Sequence, residues 1–325
     1  MKWKECLREP DMDIQDKIKL IVLAGPTAVG KTEFAIQLAK QLDGEIVNCD
    51  SMQIYKHMDI GSAKPTKEER SEAPHHLVDF INPNEEFTVA KYQKYARKCI
   101  IDISKRGKVP ILSGGTGLYI DSVIYDMDFS NKPEGGIFNK RRDELYRIAE
   151  EEGNEALHAK LAELSSKRAG EIHPNNIKKV VRAIEILESG ENPGDFEGVK
   201  NRKYKEFDAK LFCLNRDREE LYDRINRRVD ILIKQGLESE IRALLNMGIS
   251  ADDISMKGIG YKEMLSYING EYDLDTAVEL IKRNSRRFAK RQLTWFRKYD
   301  DMLWINLSHK SFEEAIEIVR GSYGK

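Results

Sequence analysis

Gly25, Pro26, Thr27, Ala28, Val29, Gly30, Lys31 and Thr32 complete the spacing G-x-x-x-x-G-K-[ST]. Glycines at both ends let the backbone turn several N–H groups toward one point, which suits a phosphate. A helix opening at Lys31 would add the partial positive charge of its N-terminus. Lys31 can reach the outer phosphates, and the Thr32 hydroxyl is the type of oxygen that ligates Mg2+. The spacing therefore specifies a diphosphate and Mg2+ without naming the molecule that carries them. ATP is the default ligand of such a loop, so a nucleoside or small-molecule kinase is one reading.

Three further groups could do chemistry beside a diphosphate. Asp50 follows the apolar run Glu45–Cys49, at the carboxyl end of an expected strand, where open α/β sheets gather their ligands. It could accept a proton, hold Mg2+ through water, or cap a turn. Thr116 follows Gly114 and Gly115 at the end of another expected strand, and its hydroxyl could face the site or cap the next helix. Arg224 and Arg228 stand at i, i+4 on one helix face and could grip a diphosphate, or pair with Glu220 and Asp230. His75 and His76 are adjacent, so a strand points them to opposite faces, and they read as structural. Cys6, Cys49, Cys99 and Cys213 are scattered without CxxC spacing, as expected of reduced thiols and not of a zinc site.

The elements that must position these groups alternate in type. Lys19–Ala24 reads as a strand, with an amphipathic helix after the glycine loop ending before Gly44. Strands are expected at 45–49, more weakly at 77–80, and at 109–113, with a helix over 88–105. Alternation of this kind predicts an α/β fold with a parallel sheet flanked by helices. Loop-like stretches at 131–136 and 189–201 bracket a segment whose pattern is helical throughout. We therefore expect a core of 1–130 and 201–325 with an all-helical insertion domain at 131–200. A strand at 210–214, a helical tract from 218 to 299 and a late strand at 303–307 complete the pattern.

Composition sets the class. Among 325 residues, 40% are hydrophobic and 34% charged, as in an ordinary globular protein. No apolar run approaches the roughly 18–20 residues that span a bilayer. Glu5, Glu9, Asp11, Asp13 and Asp16 argue against a signal or transit peptide, which predicts a cytoplasmic protein. Net charge is −1, but from Lys282 to Lys298 there are eight bases and no acid, with Trp295 and Phe296 interleaved. Arg283, Arg286, Arg287, Lys290 and Arg291 recur at helical spacing, a track for a phosphate backbone or else a solvated face. Lys257, Gly258, Gly260, Tyr261 and Lys262 form a glycine loop flanked by lysines, and Lys178, Lys179 and Arg182 form a second basic helix.

From Asp50 to Pro65 the chain reads DSMQIYKHMDIGSAKP, a block that resembles the tRNA dimethylallyltransferase family. Ala73-Pro-His75, Gly114-Gly-Thr-Gly-Leu-Tyr119, Ile172-His-Pro-Asn175, Gly258-Ile-Gly-Tyr261 and Ala289-Lys-Arg-Gln-Leu-Thr-Trp295 follow in the family's order. The resemblance covers roughly residues 18 to 307. It implies a P-loop NTPase-like core with a helical insertion, and tRNA lying across both. It also implies transfer of a dimethylallyl group from dimethylallyl diphosphate to the N6 amine of the adenosine immediately 3′ of the anticodon. In that reading Asp50 is the general base, Thr116 contacts the reacting substrate, and Arg228, with Arg224, binds the diphosphate. Asp50, Ser51, Met52, Gln53, Thr116, Arg142 and the three basic regions would contact the anticodon stem-loop, Gln53 with an amide able to pair with adenine. The absence of a zinc-finger pattern matches the bacterial form, and a monomer is expected.

Overall fold

The computed structural model describes residues 17–125, 127, 136–188 and 206–324. Contacts divide the chain into two compact units, Met1–Ile124 with Tyr204–Lys325, and Tyr125–Lys203. Of the stretch expected at 131–136, residues 131–135 lie outside the described residues and Gly136 opens a helix; the stretch at 189–201, the acidic first residues and Cys6 also lie outside them.

The larger unit is built on one parallel sheet of β1 (Ile18–Ala24), β2 (Gly44–Asn48), β3 (His75–His76), β4 (Val109–Gly114), β5 (Phe207–Asn215) and β6 (Leu303–Asn306). The spatial order is β3-β2-β4-β1-β5-β6. β1 is apolar on both faces because both are covered, and Leu20 through Ala24 are fully buried. Its register places Ala24 beside Gly114 of β4 and Cys213 of β5.

Helices α1 (Lys31–Leu42), α2 (Lys67–Glu72) and α3 (Val89–Lys105) connect the first four strands, and α4 (Gly117–Ile124) follows β4. α1 buries Phe34, Leu38 and Ala39 on one stripe, and the Phe34 ring meets Phe312 edge-on at 5.6 Å. Burying a side chain such as Phe34 or Leu38 is worth about 1.5–3 kcal/mol. α3 begins at a Thr88 cap whose hydroxyl accepts the Lys91 N–H.

In the smaller unit, α5 (Gly136–Glu151), α6 (Asn154–Leu164), α7 (Ser166–Glu171) and α8 (Ile177–Glu188) enclose a core of Leu145, Leu157, Leu161, Val180, Val181 and Ile184. All of its described elements are helices.

The tract expected to be helical from 218 to 299 resolves into α9 (Arg218–Lys234), α10 (Leu237–Asn246), a 3-10 turn at Ile254–Lys257, α11 (Tyr261–Ile268) and α12 (Leu274–Phe296). α13 (Phe312–Tyr323) closes the chain's described part. A second core cluster of Ile54, Met58, Ile241, Leu244, Tyr261, Met264 and Ile281 joins α10, α11 and α12 to the segment after β2. α12 buries Ala277, Ile281, Ala289, Gln292 and Phe296 on one face and exposes Arg283, Arg287, Lys290 and Arg291 on the other. No helix among the described residues is long and apolar enough to cross a membrane.

One expected strand is displaced. Pairing with β2 falls at His75–His76, not at 77–80. Leu77 and Asp79 take left-handed φ of 59° and 58°, and the N–H groups of Asp79 and Phe80 bond to Gln53 and Ile54 carbonyls instead. The apolar run there packs beneath the 53–55 loop, so it looked like a strand without extending one.

Candidate active site

Four adjacent strands end at one edge of the sheet, and each hands the chain to a residue that could do chemistry. β1 leads into the glycine loop, β2 into Asp50, β4 into Gly115 and Thr116, and β5 into Arg216. This is the carboxyl edge of an open parallel sheet, where ligands bind.

The loop wraps as its spacing predicts. Gly30 caps α1 with a left-handed φ of 107°, a conformation that glycine adopts without strain. A Cβ on Gly25 would lie 2.8 Å from the Leu214 carbonyl oxygen, so only glycine fits between the loop and β5. Lys31 Nζ donates to the Gly25 and Pro26 carbonyls at 2.8 and 2.7 Å, curling over the loop it belongs to. Burial pushes its ammonium down to about 8, while the Asp50 charge opposes that shift. A buried cation held near its titration point gains from any anion placed beside it.

Asp50 Oδ1 accepts the Met52 N–H at 2.9 Å, which orients the carboxylate, and Oδ2 makes no hydrogen bond among the described residues. The Asp50 charge also acts on Arg228, whose guanidinium burial lowers from its ordinary range. Arg228 makes no ion pair among the described residues, and the two carboxylates expected as its alternative partners are engaged elsewhere. Glu220 pairs with Arg216 at 2.5 Å, and Asp230 with Lys282 at 2.9 Å. Thr116 Oγ1 accepts the Ser51 N–H at 3.1 Å and lies 3.4 Å from Ser51 Oγ, so its hydroxyl holds the segment after Asp50. Its carbonyl, meanwhile, starts α4 by accepting the Ile120 N–H.

Arg224 Nε donates to the Ala28 carbonyl at 2.9 Å, and Arg216 Nε to the Val29 carbonyl at 3.0 Å. Two guanidiniums thus clamp consecutive carbonyls of the glycine loop from outside. Arg216 escaped the sequence reading, although its place directly after β5 at the ligand edge was a usable signal. Gln292 escaped as well, lying inside the 289–295 block but facing inward. It bridges Thr27 and Gly115.

The remaining candidates scatter over both units. Gln53 donates its amide to the Ala63 carbonyl at 3.1 Å, bracing the 59–65 loop. Tyr261 is fully buried, and its hydroxyl donates to Glu240 at 2.8 Å. Glu240 also accepts the N–H groups of Asp59, Ile60 and Gly61 at 2.7, 2.7 and 3.0 Å. Lys257 and Lys262 are exposed beside it in sequence, with Gly258 packed on Met52 and Gly260 at a φ of 96°. Arg286 bonds to Asn226, whereas Arg283, Arg287, Lys290 and Arg291 carry no carboxylate partner among the described residues. In the smaller unit Lys178 and Lys179 are exposed, and Arg142 forms a two-pronged pair with buried Glu185 at 2.7 and 2.9 Å, joined by Arg182 at 3.4 Å. His76 bonds to Glu45 and His75 to the Ala73 carbonyl, both as parts of the sheet edge. Burial pushes the Cys213 thiol up to about 12 and the Cys49 thiol higher, so neither is a nucleophile.

A parallel sheet with a G-x-x-x-x-G-K-T loop at its carboxyl edge, next to a carboxylate whose charge acts on a lysine and an arginine, defines a P-loop-type α/β protein. Known proteins narrow this class. The model of the IPP transferase family matches residues 53–299, and that of isopentenyl transferase residues 17–82. The tRNA dimethylallyltransferase of Alkaliphilus oremlandii is 51% identical over 305 residues, covering 93% of this chain and 96% of the relative. That of Clostridioides difficile is 49% identical, covering 90% and 92%. Among solved structures, the full-length tRNA isopentenylpyrophosphate transferase of Bacillus halodurans aligns with a TM-score of 0.71 at 41% identity, over 95% of this chain and 96% of that one. A eukaryotic dimethylallyltransferase acting on tRNA aligns with a TM-score of 0.80 at 27% identity, over 95% and 80%. The chain belongs to the IPP transferase family, the tRNA dimethylallyltransferases. It is a prenyltransferase, and the kinase reading is set aside.

Proposed function

We propose that the chain transfers a dimethylallyl group from dimethylallyl diphosphate to the N6 amine of the adenosine immediately 3′ of the anticodon in tRNA, releasing diphosphate. The observation that carries this reading is the place of Asp50 just after β2, at the sheet edge where the glycine loop opens, with one oxygen held by the Met52 N–H and its charge acting on Lys31 and Arg228. The adenine amine is a weak nucleophile, since its lone pair is delocalised into the ring. Asp50 accepts a proton from N6 as the nitrogen attacks the first carbon of the allylic group. The bond from that carbon to oxygen breaks, and its electron pair leaves with the diphosphate. Lys31 and Arg228 stabilise the charge that gathers there, where a site shielded from water makes each more effective. The base must leave its stack for the amine to reach this edge.

Mg2+ supplies further positive charge to the diphosphate when bound. The Thr32 hydroxyl, on the first turn of α1, is the hard oxygen donor that would hold it, with substrate oxygens and water completing the set. The exposed bases of α12, Lys178 and Lys179, and the Lys257–Lys262 region are the surfaces we assign to the anticodon stem-loop, with the protein acting as a cytoplasmic monomer. The test is mass spectrometry of nucleosides from unmodified tRNA incubated with the protein, Mg2+ and dimethylallyl diphosphate, without ATP. Appearance of N6-dimethylallyladenosine beside the anticodon is expected. A strict ATP requirement with phosphate release would overturn the reading.

A further inference from the structure

α12 presents bases to solvent on one face, but on its other face it carries one buried amide. Gln292 is 5% exposed. Its Oε1 accepts the Thr27 N–H at 3.0 Å, and its Nε2 donates to the Gly115 carbonyl at 2.9 Å. One side chain therefore ties the loop after β1 to the turn after β4. It does so from a helix separated from them by 265 and 177 residues of sequence.

The approach is close enough to dictate its neighbours. A Cβ on Gly115 would lie 2.2 Å from Gln292 Nε2, and one on Gly117 would lie 2.3 Å from Trp295 Cδ1. Two glycines and two residues of α12 thus seat the helix against the turn that bears Thr116. Thr116 in turn holds Ser51, the residue after Asp50. The glycine loop, the turn and the segment carrying the base meet through these bonds.

The chemistry of the bridge selects the residue. One end must accept from an N–H and the other must donate to a carbonyl, and the carboxamide of glutamine carries one group of each kind. A glutamate would present oxygen to the Gly115 carbonyl, and a methionine would leave both backbone groups buried and unpaired. The Thr27 N–H is aimed at Gln292, so the loop's diphosphate cradle is formed by its remaining groups.

We propose that Gln292 is a positioning residue for the transfer. It sets the spacing between the phosphate loop and the Gly115–Thr116 turn, and so between the departing diphosphate and the base that receives the proton. The proposal rests on the functional reading above, in which the loop holds the diphosphate of the donor. Gln292 touches no reacting atom in this scheme and acts through the loop and the turn.

The test compares Gln292→Met and Gln292→Glu with the unaltered protein in three measurements. These are calorimetric affinity for inorganic pyrophosphate with Mg2+, affinity for unmodified tRNA, and the single-turnover rate of prenylation. The expected result is selective. Pyrophosphate affinity falls about tenfold and the single-turnover rate about ten- to hundredfold, as for loss of buried hydrogen bonds, while tRNA affinity stays near that of the parent. Pyrophosphate affinity equal to the parent's, or a loss matched by an equal loss of tRNA affinity, overturns the proposal, since a general packing role predicts no selectivity. If the methionine variant fails to fold, the near-isosteric glutamate variant decides. If the unaltered protein prenylates no tRNA, the functional reading fails, while the pyrophosphate arm still judges Gln292.

Discussion

Asp50 is held by a single backbone N–H through one oxygen and leaves the other without a hydrogen bond among the described residues, while its charge acts on two cations. That arrangement suits a group that must receive a proton and not merely cap a turn. Replacing Asp50 with alanine should slow the single-turnover rate by about 10²–10⁴, the usual contribution of a positioned base, with tRNA affinity little changed. A variant that turns over at the parental rate would remove Asp50 from the mechanism. At this scale residue type carried much of the reading. The glycine loop, Asp50, Thr116 and Arg228 could be picked out because each is of the right type at a recognisable distance from its neighbours. Arg216 and Gln292 could not, because what they do depends on backbone groups far away in sequence. An arginine bonded to a carbonyl 187 residues away looks, along the chain, like any other arginine.

The elements show the same division. β1, β2, β4 and α1 follow local apolar patterning, and their bounds lie within a residue or two of the expected ones. β3 did not, because the partner of 77–81 is a loop and no periodicity records that. What secures β2 beside it is an ionic cluster. Buried Glu45 receives Arg106 of the turn after α3 and His76 of β3, at 2.7 Å in each case. The hydrogen bond from Arg106 holds the Glu45 carboxyl at about 2, against an ordinary 4.5, despite burial that opposes the shift, with His76 adding to it. A folded value below the unfolded one adds stability above 4.5 and loses it as pH falls from there toward about 2. Because Arg106 is partly open to solvent, the contribution is discounted to about 2 kcal/mol. Denaturant midpoints measured across that range should fall steeply for the parent and much less for Glu45→Gln, which should start lower at neutral pH. Parallel curves for the two proteins would remove the cluster from the acid response.

For the molecule as a whole, a net charge of −1 conceals a concentration of bases on one helix. The exposed face of α12 carries Arg283, Arg287, Lys290 and Arg291, while Lys282 and Arg286 are taken up by Asp230 and Asn226. Bases that bind phosphates displace counterions, so affinity for tRNA should drop steeply with salt. Changing Arg283, Arg287 and Lys290 together to glutamine should weaken tRNA binding and flatten its salt dependence, leaving the rate at saturating tRNA near the parental value. Unchanged affinity and slope in filter binding with an anticodon stem-loop would make this face merely solvated.

The strand order has a consequence for how the protein is made. β1 pairs along its whole length with β5, whose residues leave the ribosome almost two hundred positions later. Until Phe207–Asn215 arrives, the most apolar strand of the sheet has one row of N–H and carbonyl groups unmatched, and such an edge is a template for association between nascent chains. The glycine loop matures on the same schedule, since Arg216, Arg224 and Gln292 all follow β5. A growing chain therefore emerges with its glycine-loop sequence complete, but the loop gains the last of the side chains that bond to it only once synthesis has passed Gln292.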